Sequence, residues 1–170
     1  MSDPSRTSYG EISHAAPGEL RAFAFLIGKW AGKGRTRLPD GTEAEFPVTW
    51  IGRYVLAGTA IADEMHGPAP DGSPYMGISF RQYDVGRGAW VVEYLNVTGS
   101  FLRKQVNADT GSVEVRGQDV TVESESPGVK IREHYFVPDD SNFTYRLDVS
   151  SDGGASWNAG QIEMTFQRVE

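Results

Sequence analysis

Phe25–Gly34 reads FLIGKWAGKG, a short apolar stretch that runs into the pattern Gly-x-Trp-x-Gly-x-Gly. At the two-residue period of a β-strand, Trp30, Gly32 and Gly34 share one face, while Lys29, Ala31, Lys33 and Arg35 share the other. An inward face with one large anchor and two gaps suits the crowded floor of a small barrel, where neighbouring groups need the space a Cβ would occupy. Taken on its glycines alone, the stretch is simply a strand with a core tryptophan. Just upstream, Leu20, Phe23, Leu26 and Ile27 have helical spacing, with Glu19 in the first turn and Gly28 as the stop. One short helix placed to close an end of the barrel is expected.

Downstream, strand signals recur at roughly the 8–12-residue spacing of an all-β sandwich or barrel. Eleven segments carry them, from Lys29–Leu38, Thr42–Ile51, Tyr54–Met65, Tyr75–Tyr83 and Ala89–Val97, through Phe101–Asn107, Ser112–Arg116 and Val120–Glu125, to Lys130–Val137, Phe143–Ser150 and Gly160–Val169. Pro39-Asp40-Gly41, Ala108-Asp109-Thr110-Gly111 and Pro138-Asp139-Asp140 supply the Gly, Pro and Asp that tight reversals need, so sequence neighbours should pair antiparallel. His66–Pro74 (HGPAPDGSP) is too rich in Pro and Gly for a strand, and a flap beside an opening is expected there. In the second segment Ala44, Phe46, Val48 and Trp50 oppose Glu43, Glu45 and Thr49, which fixes the inward face. In the fifth, Trp90, Val92, Tyr94 and Asn96 oppose Val91, Glu93, Leu95 and Val97, and neither set is plainly built for solvent. A partly apolar outer surface of this kind is often covered by a second copy, so a homodimer is one expectation.

The 170 residues, 39% hydrophobic, suffice for one core. The domain is expected at Gly18–Glu170, behind a polar Met1–Pro17 tail that contains two prolines. A net charge of -7 and a pI near 5.0 oppose a phosphate-binding surface, so nucleic acid is not an expected partner. Without cysteine there is no disulfide framework and no thiolate chemistry; a reducing, cytoplasmic setting is expected. Neither a signal-peptide h-region nor an apolar run long enough to span a bilayer is present, so no membrane partner is expected either. His14, His66 and His134 show no metal-ligand spacing, and no metal or cofactor is expected. Near the end, SSDGGASW (Ser150–Trp157) matches the Ser-x-Asp-x-Gly-x-Ser-Trp pattern of an Asp-box hairpin, whose role is structural.

FLIGKWAGKG, RYVLAG (Arg53–Gly58), QYDVGRGAW (Gln82–Trp90) and the closing SSDGGASW with IEMTFQRV occur in an order that resembles the small DUF1579-type proteins and, more distantly, nitrobindin-like and other calycin barrels. The resemblance covers residues 20–169. It implies an all-β, lipocalin/calycin-like antiparallel barrel of about ten strands with a short N-terminal helix and a lumen open at one end, and it implies no settled function. The nitrobindin branch holds haem iron through a histidine of the final strand. Aligning QIEMTFQRV with that pattern puts Gln161 at the ligand position, so the resemblance does not extend to haem. Tyr94 and Asn96 match a family pattern of an aromatic followed two residues later by an acid or amide.

The candidate function is therefore binding of a small apolar or aromatic molecule in the lumen. Trp50, Trp90 and Tyr94 would form the wall, and Asn96, Arg103 and Tyr135 would orient a polar group. For the aromatics the alternative is ordinary core packing. The alternative function is a cofactor-independent lyase, isomerase or cyclase in the same lumen, with His134, His66 or Tyr94 as acid/base groups. A third is a structural dimeric module whose lumen its own tryptophans fill. A lumen larger than about 300 Å³ with a polar pair at its base would favour binding or chemistry.

Overall fold

Leu20, Phe23 and Leu26 recur every three residues, and three is the period of a 3₁₀ helix rather than an α-helix. The computed structural model describes residues 9–38, 40–69, 72–98, 101–105, 112–126 and 128–169, with the backbone alone at 98, 101–105 and 126. In it Gly18–Leu26 is a 3₁₀ helix whose three apolar anchors are fully buried. Residues ahead of the helix also lie against the barrel: Ile12 and Ala16 pack on the core, and Ser13 N–H donates to Gly58 O at 3.0 Å.

Eleven strands follow: β1 (Gly28–Arg37), β2 (Glu43–Val55), β3 (Ala60–Pro68), β4 (Pro74–Asp84), β5 (Ala89–Thr98), β6 (Phe101–Gln105), β7 (Ser112–Arg116), β8 (Asp119–Ser126), β9 (Val129–Asp139), β10 (Asn142–Ser150) and β11 (Asn158–Arg168). They form one antiparallel sheet in the order β6-β5-β4-β3-β2-β1-β11-β10-β9-β8-β7. The end strands β6 and β7 are successive in the chain, and β7 comes near β5, so the meander curls into a nearly closed up-and-down barrel. The turn expected at Ala108–Gly111 lies outside the described residues. No helix among the described residues is long and apolar enough to cross a membrane.

The closed end is organised by the opening stretch. Trp30 is fully buried, donates its indole N–H to Leu26 O at 3.1 Å and meets the Phe143 ring edge-on at 4.8 Å. The Arg168 guanidinium lies 4.0 Å above its ring and also donates to the carbonyls of Ile27 and Asp140, tying the helix exit to the last strand. The two gaps are filled: a Cβ on Gly32 would stand 2.4 Å from Thr165 O and 2.6 Å from the Phe166 ring, and one on Gly34 would stand 2.4 Å from the Phe46 ring. The inward assignment of Trp30, Gly32 and Gly34 therefore holds, and it continues on β2 in Val48 and Trp50.

Two boundaries differ from the sequence reading. The second reversal comes later, because Gly52 and Arg53 remain in β2 and the chain turns at Leu56–Gly58, where Leu56 and Ala57 hold φ of 50° and 56°. Gly52 belongs to the strand because the Leu26 carbonyl packs against it, where a Cβ would fall only 2.1 Å away. The flap expected at His66–Pro74 contracts to a short reversal: β3 runs through His66 and Gly67 to Pro68, and Ala69 N–H donates to Ser73 O at 2.7 Å. Pro68 and Pro74 sit at strand ends, where a missing donor disturbs no interior ladder bond. At the far end of β10 the Asp-box forms as read: Asp152 accepts from Ser150 Oγ and from the N–H and hydroxyl of Ser156.

Candidate functional site

Alternation on three strands sends charge inward. Ile61, Asp63 and Met65 share the inner face of β3, Gly77, Ser79 and Arg81 that of β4, and Ile131, Glu133 and Tyr135 that of β9. Above the closed end these groups, except Ile61 and Tyr135, line a cavity of about 210 Å³ whose walls are completed by Trp50, Tyr75, Val92, Tyr94, Asn96, Val122, Tyr145, Leu147, Ile162 and Met164. That volume falls short of the lumen of about 300 Å³ expected of binding or chemistry, and it leaves room only for a compact molecule of one or two rings.

The floor is a buried polar cluster. Arg81, 1% exposed, donates Nε–H to Asp63 Oδ2 at 2.6 Å and Nη2–H both to Asp63 Oδ1 at 3.3 Å and to the Tyr135 hydroxyl at 3.2 Å. Its remaining nitrogen, Nη1, has no hydrogen-bond partner and lies 3.8 Å from Glu133 Oε2. Tyr145 OH donates to Glu133 Oε1 at 3.1 Å. Beneath, the Phe23 ring lies 4.8 Å from the guanidinium carbon, so the N-terminal helix supports the cation from below. Two further lining residues carry unpartnered polar atoms, Trp50 Nε1 and Asn96 Oδ1. At the upper wall the hydroxyls of Tyr75 and Tyr94 hydrogen-bond each other. Gly77 makes that possible, since a Cβ there would stand 2.4 Å from the Tyr94 oxygen.

Burial dominates the electrostatics. It opposes the Arg81 charge, but Asp63, Tyr135 and Glu133 together outweigh it, and the guanidinium stays firmly protonated. Burial pushes the Glu133 carboxyl above the usual carboxylate range; Asp63 adds to the shift, while Arg81 and the Tyr145 hydroxyl oppose it. The Tyr75 phenol is pushed up to about 12 by burial first and Glu133 second. The folded state thus holds the Glu133 proton more tightly than the unfolded chain does. Its share of stability is complete near pH 4.5 and below and is lost as pH rises through the folded value. Glu133→Gln should remove that slope. Urea midpoints from pH 5 to pH 8 should show wild type losing stability relative to the variant as pH rises, and a constant difference would refute the assignment.

The sequence candidates divide by face. Trp50, Tyr94 and Asn96 line the cavity. Tyr135 lies beneath it, 1% exposed, and its hydroxyl accepts from Arg81 while its ring packs against those of Trp50 and Tyr145. Trp90 packs edge-on against Phe23 at 4.9 Å and against Tyr83 at 5.6 Å, in the closed end rather than the cavity wall. The side chain of Arg103 lies outside the described residues.

Both candidate histidines need correction, because strand alternation turns them away from the lumen. His66 Nε2 stands 3.2 Å from Glu64 Oε2 in an outward cluster with Arg53. His134 Nε2 stands 3.0 Å from Asp148 Oδ2. Asp148, only 3% exposed, also takes two bonds from Arg146 and one from Gly160 N–H at the β11 irregularity, so His134 belongs to a structural staple. Gln161 likewise faces outward, donating to Arg37 O at 2.8 Å, while its neighbour Ile162 lines the cavity. Asp63, Arg81, Glu133 and Tyr145 were missed as site residues. Their signal was present: Asp63 alternates with Ile61 and Met65 on an apolar face, and Arg81 with Ser79 and Gly77 one strand away.

Among the described residues no group of three or more His, Asp or Glu could hold a metal ion. No curated protein matches the chain significantly. Among solved structures, Rv2717c from M. tuberculosis is similar over 91% of this chain and 99% of its own, with 19% identity and a TM-score of 0.58. The S-type phycobiliprotein lyase CPES from Guillardia theta is similar over 88% and 92%, with 10% identity and a TM-score of 0.57. At these identities the likeness is one of fold. In sequence, the model of the family described as "Protein of unknown function (DUF1579)" matches residues 17–168, from the N-terminal helix through the last strand, and the chain belongs to that family.

Proposed function

We propose that the barrel binds one compact, uncharged aromatic or apolar molecule carrying an oxygen acceptor. The observation that carries this is the set of buried, unpartnered polar atoms on three residues that line the cavity: Arg81 Nη1, Trp50 Nε1 and Asn96 Oδ1. A buried polar group left without a hydrogen bond costs about 1–3 kcal/mol, so a guest that brings partners to these atoms gains affinity from them. Apolar walls give the guest its hydrophobic contact, and the volume limits it to about two rings. Charge argues for a neutral guest. Asp63 already balances Arg81, and Glu133 stands beside the free nitrogen, so a guest carboxylate would meet two of its own kind.

Native mass spectrometry of the protein as purified tests the reading first, since a retained guest would appear as a mass adduct. Indole-fluorescence titration with phenols, aryl ketones and matched carboxylates then tests selectivity. The neutral compounds should bind and the carboxylates should not. Trp50→Phe, which keeps the ring and removes the donor, should weaken the best neutral compound about 2- to 12-fold. No adduct together with no saturable titration by any of the neutral compounds would refute the reading.

A further inference from the structure

We propose that the lumen also catalyses proton transfer beside a carbonyl group, with Glu133 as the base and Arg81 Nη1 as the donor to the oxyanion, an inference that rests on the binding reading above. Three features converge on it. Arg81 is fixed on two sides, by two bonds to Asp63 and one to Tyr135, which leaves Nη1 as a buried donor without a partner on a residue that lines the cavity. Glu133 Oε2 stands 3.8 Å from that nitrogen. One group can therefore reach a carbonyl oxygen while the other reaches the hydrogen on the adjacent carbon, each at about 3 Å. Tyr145 OH donates to the other carboxylate oxygen and so orients the base. The Glu133 side chain is 23% accessible, open to the lumen rather than sealed behind it.

The step balances without a cofactor. The Glu133 carboxylate takes the proton from the α-carbon, and the C–H electron pair becomes the carbon–carbon double bond of an enolate. The carbonyl π pair moves to oxygen, where the Arg81 Nη1–H bond holds it. Return of a proton that the Glu133 carboxyl has exchanged with solvent to the α-carbon, or of the abstracted proton to a conjugated γ-carbon, restores the carbonyl compound with the base ionised again. The substrate class is thus a small enolisable ketone, and the net reaction is α-exchange or migration of a double bond. A carboxyl whose proton affinity is raised by burial suits a group that must both take and return a proton.

The test uses 2-tetralone in D2O, with binding followed by saturation-transfer NMR and chemistry by loss of the α-proton signals. Wild type should accelerate exchange about 100-fold over buffer containing equimolar free glutamate. Glu133→Gln should return exchange to near that background while keeping the saturation-transfer signal and the near-ultraviolet circular dichroism of wild type, and Glu133→Asp should fall between. Saturation transfer with exchange at the background rate would overturn this inference and leave the binding reading standing. Undiminished exchange in Glu133→Gln would also overturn it. Absence of saturation transfer to the ketone would overturn this inference, and the binding reading falls with it when the neutral compounds also fail to titrate and no mass adduct is found.

Discussion

Asp63→Ala should destabilise the barrel by about 3–5 kcal/mol, because it leaves the Arg81 cation buried without its partner. Arg81 is 1% exposed and Asp63 2%, so no solvent is available to replace the two bonds that join them. Tyr135 and the more distant Glu133 would remain, but a phenol and a carboxyl at 3.8 Å do not reproduce a bidentate carboxylate. In a domain of this size the loss corresponds to a fall in melting temperature of about 6–20 °C, readable by circular dichroism. The paired change Asp63→Leu with Arg81→Met should be milder than Asp63→Ala, because it removes both charges and keeps the volume filled. A pair as damaging as the single change would show that the ion pair itself, rather than the orphaned charge, sets the cost.

Trp30→Ala is the second large effect, about 3–5 kcal/mol from the lost ring and the cavity it leaves. The ring is fully buried between Phe143 and the Arg168 guanidinium, and its N–H is spent on the last carbonyl of the N-terminal helix. The damage should therefore spread to that helix. Hydrogen exchange should speed up over Gly18–Ile27 in Trp30→Ala, and in Trp30→Phe the loss of stability should be smaller, since most of the packing stays. Unchanged exchange in the helix would show that Trp30 serves the barrel floor without fastening the helix to it.

How far the fold could be read from the chain follows from what each residue encodes locally. Trp30, Gly32 and Gly34 encode an inward face at period two, and the rings of Phe166 and Phe46 do occupy the gaps. The spacing of Leu20, Phe23 and Leu26 encodes a helix, although not at first sight a 3₁₀ one. The end expected at Ile51 came too early, because Gly52 stays in the strand and admits the Leu26 carbonyl, a contact made by a distant segment. The site was legible only in part. Trp50, Tyr94 and Asn96 announce themselves by type on an apolar face, whereas Arg81 and Asp63 look like solvent-facing charges until strand pairing sets β3 beside β4 with both side chains inward. The histidines attracted attention through their chemistry, yet a one-residue step on a strand reverses the face, and both fall outside.

The ladder between β1 and β11 has a consequence for how the molecule is made. The other ladders join strands that follow one another in the chain, whereas Arg35 meets Glu163 across 128 residues. At about 5–20 residues per second on a ribosome, β1 waits about 6–25 s with one edge unpaired. For that interval it is the kind of open strand on which nascent chains associate. Lys29, Lys33, Arg35 and Arg37 recur at every second or fourth position of β1, and such charges discourage edge-to-edge pairing with another copy. The polar half of GKWAGKGRTR thus guards the strand during synthesis, and its apolar half takes over once the ring has closed.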